Sequence, residues 1–421
     1  MIFGFGSFFL LVRVLTKEEM GTWSLFFTII TILETSKAGL VKNALIKYIN
    51  SEPQSEHSKI ETASLSINSL FSLLAGFIIF LSADFLGELW NIPSLATMLC
   101  YYIIALIILI PFSHFEYIQQ ANSSFSGILA SYLVRQGFFF ASVVILTFWF
   151  DGYTLLHYLV LLQAVGIGFG SVVGYAHARK FLAKKITYSV LWVKKLWGYG
   201  KFVLATNISS LIFRSTDQIM IASYISTAAV ALYNVSIRIT NLLDIPSTVA
   251  AEVIFPKSVK MINEDKSSGK YLYERSVGII MALLLPASII ILLFPESILH
   301  IIAGSGYVEA AGILQVTILY GLFLPFLKQF GTLMDASGYP NINFKVIFTL
   351  AVTNVIANYV FIKLFGLLGA AYGTLFTYLV SYLISQTVLY KKLGVNALKI
   401  FMDIFVSYKD IYRIIRSKRI L

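Results

Sequence analysis

The sequence predicts an all-α integral membrane protein of about 12 transmembrane helices in two six-helix lobes. Three observations predict it. The 421-residue chain contains about twelve apolar stretches of roughly 20 residues, the length a helix needs to cross a hydrocarbon core. Its composition is 58% hydrophobic and 13% charged, against about 25% charged for soluble domains, so no water-soluble fold would hide its apolar surface. The pattern also repeats halfway along. VLTKEEMGTWS (14–24) lies against YISTAAVALYN (224–234), with Thr16 facing Ser226, Gly21 facing Ala231 and Trp23 facing Tyr233. IPFSHFEYIQQANSS (110–124) lies against LPFLKQFGTLMDASG (324–338), with Pro111 facing Pro325 and Ser123 facing Ser337.

In chain order, the first half gives spans at 1–12, 23–46, 62–82, 97–116, 127–150 and 153–176. The opening MIFGFGSFFLLV lacks the basic n-region and small-residue cleavage site of a signal peptide. At 1.5 Å per residue it is too short to span, and it reads as the end of an incomplete or mis-started first helix. The second half gives 202–222, 230–254, 277–302, 311–330, 344–365 and 367–390. The predicted organisation is an N-terminal six-helix lobe (1–178), a basic cytoplasmic linker (179–201), a C-terminal six-helix lobe (202–392) and a basic amphipathic tail (393–421).

Charge sets the orientation. The linker carries Arg179, Lys180, Lys184, Lys185, Lys194, Lys195 and Lys201, and both 257–275 and the tail are basic. The alternate loops hold only Arg13, Lys17 and Lys363. By the positive-inside rule both termini are cytoplasmic. That asymmetry accounts for most of the net charge of +11 without a nucleic-acid partner. Trp23, Trp90 and Trp149 fall at predicted outer ends, with Trp192 and Trp197 inside, as an aromatic belt would place them. The tail alternates apolar and basic positions at helical spacing, which predicts a helix lying on the cytoplasmic leaflet through Arg413, Arg416, Lys418 and Arg419. A disordered soluble tail is the alternative.

Chemistry-bearing motifs are few. The single cysteine, Cys100, excludes an internal disulfide and a thiolate metal cluster, and the five histidines show no i,i+4 pairing. There is no phosphate-binding G-x-x-x-x-G-K-[ST], no G-x-S-x-G and no EF-hand loop. No cofactor or metal is expected, and the chain is not expected to be an enzyme.

The remaining signal is charge inside the membrane, where each ionisable group is costly and marks function by default. Glu34 and Lys37 lie three residues apart in the second span, on one helix face. Arg214 and Asp217 repeat that spacing in the seventh. Arg238 and Asp244 flank the middle of the eighth, and Arg238 has no acidic residue at i±3 or i±4 in sequence. Arg135 and Lys328 lie nearer the cytoplasmic side. Either the two i,i+3 pairs cement helix packing or their members serve a ligand. Glu116 and Lys328 are expected to snorkel to the interface, and Asp335 to be solvated. Pro111, Pro286 and Pro325 fall inside spans, as hinges or static bends.

Six spans per half give both halves one orientation, related by an axis along the membrane normal, which is a transporter architecture. RVLTKEEMGTWSL, from Arg13, resembles the R-x-L-x-x-x-x-x-G motif of polysaccharide-transporter flippases. DQIMIASYISTAAVALYNVSIRI (217–239) resembles that family's signature across its seventh and eighth spans, and GLLGAAYGTLFTYLVSYL (366–383) its G-x-x-G-A-A twelfth-span signature. The resemblance implies the two-lobed fold of the multidrug/oligosaccharidyl-lipid/polysaccharide exporters. It also implies flipping of undecaprenyl-pyrophosphate-linked oligosaccharides for O-antigen, capsule or exopolysaccharide, by alternating access, in a bacterial or archaeal inner membrane.

Under that resemblance, spans one, two, seven and eight line a cavity. Arg214, Arg238, Lys37 and Arg135 then receive a pyrophosphate, because guanidinium offers paired donors to phosphate. Asp217, Glu34 and Asp244 reset those cations or bind a coupling proton or sodium ion. The implied partners are lipid-linked oligosaccharide, membrane lipids, a polysaccharide polymerase and glycosyltransferases. Two alternatives stand beside it. One is a multidrug antiporter of the same fold, which the several cations disfavour. The other is a membrane polysaccharide polymerase, which the short outer loops and the repeat disfavour.

Overall fold

The computed structural model describes residues 2–149, 155–251, 268–337, 339–396, 399–400 and 402–409, and no strand occurs among them. The first helices are α1 (Ile2–Val14), α2 (Lys17–Ser51), α3 (Gln54–Leu89), α4 (Pro93–Ala121), α5 (Phe125–Trp149) and α6 (Leu155–Ala178). Then come α7 (Val190–Tyr224), α8 (Thr227–Leu242), α9 (Ser268–Leu293), α10 (Pro295–Ala303), α11 (Ala311–Gly321), α12 (Leu324–Ala336) and α13 (Pro340–Leu393). Eight helical stretches among the described residues are long and apolar enough to cross a membrane. The predicted first span is the short apolar α1. Spans 202–222 and 230–254 fall on α7 and on α8 with the helical residues that follow it, residues 252–254 lying outside the described set.

Local sequence sets the boundaries, and it does so alike in both halves. Thr16 caps α2 with a capping box: its Oγ1 accepts the Glu19 N–H at 3.2 Å, and Glu19 Oε2 accepts the Thr16 N–H at 2.9 Å. Its aligned counterpart Ser226 caps α8, accepting the Ala229 N–H at 3.2 Å. Further on the copies diverge. α2 runs on through Glu34, whereas α8 stops at Leu242 and helix resumes at Asp244. Pro246 then lies in a first turn, where its missing N–H costs nothing. Likewise Pro111 stays inside α4, but Pro325 opens α12 after a break at Leu322–Phe323, so it starts a helix where a mid-span position was expected. Gly366, with φ 59°, separates the predicted spans 344–365 and 367–390 inside α13.

The chain divides into two compact units, Met1–Leu211 with Ser226–Ala231, and Ile212–Ile225 with Leu232–Leu421. In the first, α4 packs on α2, α3 and α6, and α5 packs on α1 and α6. Leu40, Leu45, Ile60, Ile118 and Leu196 fill part of its core. In the second, α9 packs on α11 and α12, and α13 covers both of them, around Tyr273, Phe330, Met334 and Leu350.

Two tryptophans depart from the expected belt. Trp23 is buried, stacked between Phe26 and Phe139. Trp192 is buried too, its Nε1 donating to Glu56 at 2.6 Å. Each ring has aromatic or carboxylate partners on neighbouring helices, and those outweigh an interfacial position. The Trp149 side chain lies outside the described residues. The described part of the tail is docked on protein. Glu274 on α9, itself 1% exposed, accepts the Asn396 N–H at 2.8 Å and pairs with Lys399 at 3.3 Å. Ile400 and Ile404 are buried in the core of the second unit, while Met402 and Phe405 point outward. Arg413, Arg416, Lys418 and Arg419 lie outside the described residues.

Candidate functional site

Most of the intramembrane charges collect in two cavities, one in each unit. In the first unit, α2 and α4 present Glu34, Lys37, Lys42 and Glu116, and α5 adds Tyr132 and Arg135. Helical spacing explains the alignment on α2. Residues 34, 37, 38 and 42 follow the i,i+3 and i,i+4 row along one face. The cavity has a volume of about 230 Å³, and Leu109, Phe112, Ser113 and Tyr117 complete its lining.

The bonding within this cluster does not follow spacing along one helix. Glu34 reaches across to Arg135, whose Nη2 lies 3.6 Å from Oε1, and the Tyr102 hydroxyl donates to the same oxygen at 2.5 Å. Lys37, 3% exposed, donates its Nζ to the Leu109 carbonyl at 3.3 Å. Glu116 is held at both oxygens, by Lys42 at 3.1 Å and by the Tyr132 hydroxyl at 3.0 Å. This replaces the expectation that Glu116 snorkels outward. The Arg135 guanidinium also lies 5.2 Å from the Phe112 ring centre, within cation–π range. The cluster holds three cations against two carboxylates, a net positive charge in a partly desolvated pocket.

The second unit builds its cavity from α7, from α8 and from the break after α8, with α11, α12 and α13 adding to its lining. Its lining includes Arg214, Asp217, Gln218, Asn241, Asp244, Tyr320, Thr374 and Tyr378, around a volume of about 140 Å³. Asp217 is buried, and its Oδ2 accepts the Tyr233 hydroxyl at 2.6 Å and the Thr374 hydroxyl at 3.5 Å. Asp244 Oδ2 pairs with Lys328 at 3.2 Å, so Lys328 is a counter-ion here rather than a snorkelling residue. Asp217 Oδ1 and Asp244 Oδ1 are both buried without a hydrogen-bond partner among the described residues. Arg214 is exposed and makes no hydrogen bond or ion pair among them, Asp217 included.

Of the residues singled out from sequence, the structure gathers Glu34, Lys37 and Arg135 in one cavity and Arg214, Asp217 and Asp244 in the other. Arg238 does not line the second cavity. Its Nε donates to Asn234 Oδ1 at 3.1 Å, and Asn234 donates to the lining residue Gln218 at 3.3 Å. Sequence reasoning missed Tyr102, Tyr132, Lys42, Tyr233 and Thr374. It also missed that Glu34 and Asp244 are counterparts, since 34 and 244 keep the register in which 16 faces 226 and 23 faces 233. At about 140 and 230 Å³, the cavities have room for several waters or a phosphate-sized group.

A two-unit, all-α, multi-pass membrane fold with charged cavities and no other chemical motif is the architecture of a transporter. The chain belongs to the polysaccharide biosynthesis protein family, whose model matches residues 10–312. Among curated relatives, it is 25% identical to the uncharacterized membrane protein MJ1068 of Methanocaldococcus jannaschii, over 86% of this chain and 77% of that one. It is 20% identical to the lipopolysaccharide biosynthesis protein WzxC of Escherichia coli, over 94% and 80%. It is 24% identical to the probable low-salt glycan biosynthesis flippase Agl15 of Haloferax volcanii, over 43% and 39%. Among solved structures, the lipid II flippase MurJ in an inward closed conformation superposes with TM-score 0.78 at 14% identity, covering 99% of this chain and 90% of that one. An inward-facing multidrug resistance MATE family transporter of the MOP superfamily superposes with TM-score 0.74 at 14% identity, covering 94% and 96%. Those likenesses establish the fold.

Proposed function

We propose that this chain flips undecaprenyl-pyrophosphate-linked oligosaccharide repeat units from the cytoplasmic to the outer leaflet of a bacterial or archaeal inner membrane, by alternating access, for surface polysaccharide. The observation that carries this reading is the cation excess of the first unit's cavity, in a chain of a polysaccharide biosynthesis family. Desolvated Arg135 and Lys37 suit a pyrophosphate, since charge-assisted hydrogen bonds to phosphate are about twice as strong as neutral ones. Arg214, open to its cavity, offers a second phosphate contact, and Arg238 supports that cavity through Asn234 and Gln218. Asp217 and Asp244, each with one buried oxygen that has no hydrogen-bond partner among the described residues, are the groups on which a coupling proton or sodium ion would act. Both termini are cytoplasmic in this reading, and the polymerase and glycosyltransferases of the same glycan are its functional partners. The names of relatives and structural neighbours support transport rather than catalysis.

A strain lacking the chain tests the proposal. The expected result is complete lipid-linked repeat units accumulating on the cytoplasmic face with no surface polymer. Repeat units that reach the outer leaflet unpolymerised would instead assign the chain to polymerisation. Normal glycan with altered drug sensitivity would assign it to drug export.

A further inference from the structure

Glu34 is the more exposed and more loosely held of the two acids in the first unit's cluster. Its side chain is 30% exposed, whereas Arg135 is 10% exposed and Lys37 is buried. Its contact with Arg135 is through one nitrogen at 3.6 Å, longer than the about 2.7–2.9 Å of a strong charged hydrogen bond. The other acid, Glu116, is pinned at both oxygens by Lys42 and Tyr132 and is 14% exposed. Both donors that Glu34 occupies, the Arg135 guanidinium and the Tyr102 hydroxyl, are donors that a phosphate oxygen would accept from. Tyr102 is fully buried and Arg135 is braced against Phe112, so both stay in place when the acid leaves.

We propose that Glu34 is a stand-in anion: its carboxylate occupies the phosphate position of the first unit's cavity, and substrate phosphate enters by displacing it from Arg135 and Tyr102. This rests on the reading of a phosphate-bearing substrate. The displacement keeps buried cations neutralised when the carrier is empty, and it sets a threshold that only an anion of higher charge density passes. Asp244, the counterpart of Glu34 in the other half, holds Lys328 in the same way, but there Arg214 already stands open, so the exchange is specific to the first unit.

The test is sodium pyrophosphate binding by calorimetry to the purified full chain in neutral phosphatidylcholine nanodiscs. Glu34→Gln keeps the hydrogen bond to Tyr102 but removes the charge. The expected result is roughly tenfold tighter binding, equivalent to about 1.4 kcal/mol, and no such gain when Arg135→Gln is added. Glu34→Ala gives a second reading should the glutamine variant not fold. Unchanged or weaker binding in a folded Glu34 variant, with Arg135→Gln still losing affinity, overturns the stand-in role and leaves the proposed function intact. Wild type and Arg135→Gln binding alike overturns both. Repeating the titration in phosphatidylglycerol nanodiscs separates the phosphate sources. A gain that survives there supports the substrate. A gain that disappears supports displacement but assigns the phosphate to bulk lipid.

Discussion

At the scale of single residues, the cluster chemistry depends on partners that no helical spacing predicts. Glu34 and Lys37 share a face, yet Glu34 is held by Tyr102, 68 residues away, and by Arg135. Asp244 is held by Lys328, 84 residues away. Spacing rules see only i,i+3 and i,i+4 neighbours, so the ionisable residues were legible and their pairing was not. One cross-helix relation was present in the sequence all along, because Glu34 and Asp244 stand in register with the aligned caps Thr16 and Ser226. Arg238 tests the second unit. Its contact with Gln218 through Asn234 makes it a supporting residue of the cavity. Arg238→Ala is expected to abolish surface-glycan export at unchanged protein abundance, read by glycan staining beside an immunoblot. Wild-type glycan from a well-expressed variant would remove Arg238 from the site.

At the scale of elements, the loose apolar motifs acquire physical reasons. The glycine that closes the R-x-L-x-x-x-x-x-G match is Gly21, and a Cβ there would collide with the Thr227 carbonyl in the first turn of α8. Gly366, which opens the G-x-x-G-A-A match, takes φ 59° and ψ −134° where α13 breaks, a sparsely populated conformation that costs other residues on the order of 1–3 kcal/mol. Sequence shows the motif, but only packing shows that Gly21 is there for space and Gly366 for dihedral freedom. Gly21→Ala is therefore expected to lower stability by about 1–3 kcal/mol, the usual cost of overpacking. It should appear as a lower thermal unfolding midpoint in detergent. A midpoint equal to wild type would mean the α2–α8 contact yields without cost. Most helix positions were legible from hydropathy, while the burial of Trp23 and Trp192 was not, since an aromatic at a span end reads alike whether it faces lipid or protein.

At the scale of the whole molecule, fold and family were both legible, because hydropathy and duplication point to a two-lobed membrane fold and the motifs at 13–21, 217–239 and 366–383 point to the family. Substrate identity was not, since a phosphate-binding cavity needs only a few cations and carries no record of the sugar. The two units also use their charge differently. The first holds three cations with two carboxylates, and the second leaves an arginine open in a cavity with two carboxylate oxygens that have no hydrogen-bond partner among the described residues. The most direct measurement is reconstitution of the purified chain into liposomes carrying a polyprenyl-pyrophosphate-linked oligosaccharide in one leaflet, followed by its appearance in the other. The expected result is protein-dependent transfer well above that of empty liposomes, lost with Arg135→Gln. Transfer no faster than in empty liposomes, from protein that is folded and inserted, would contradict it.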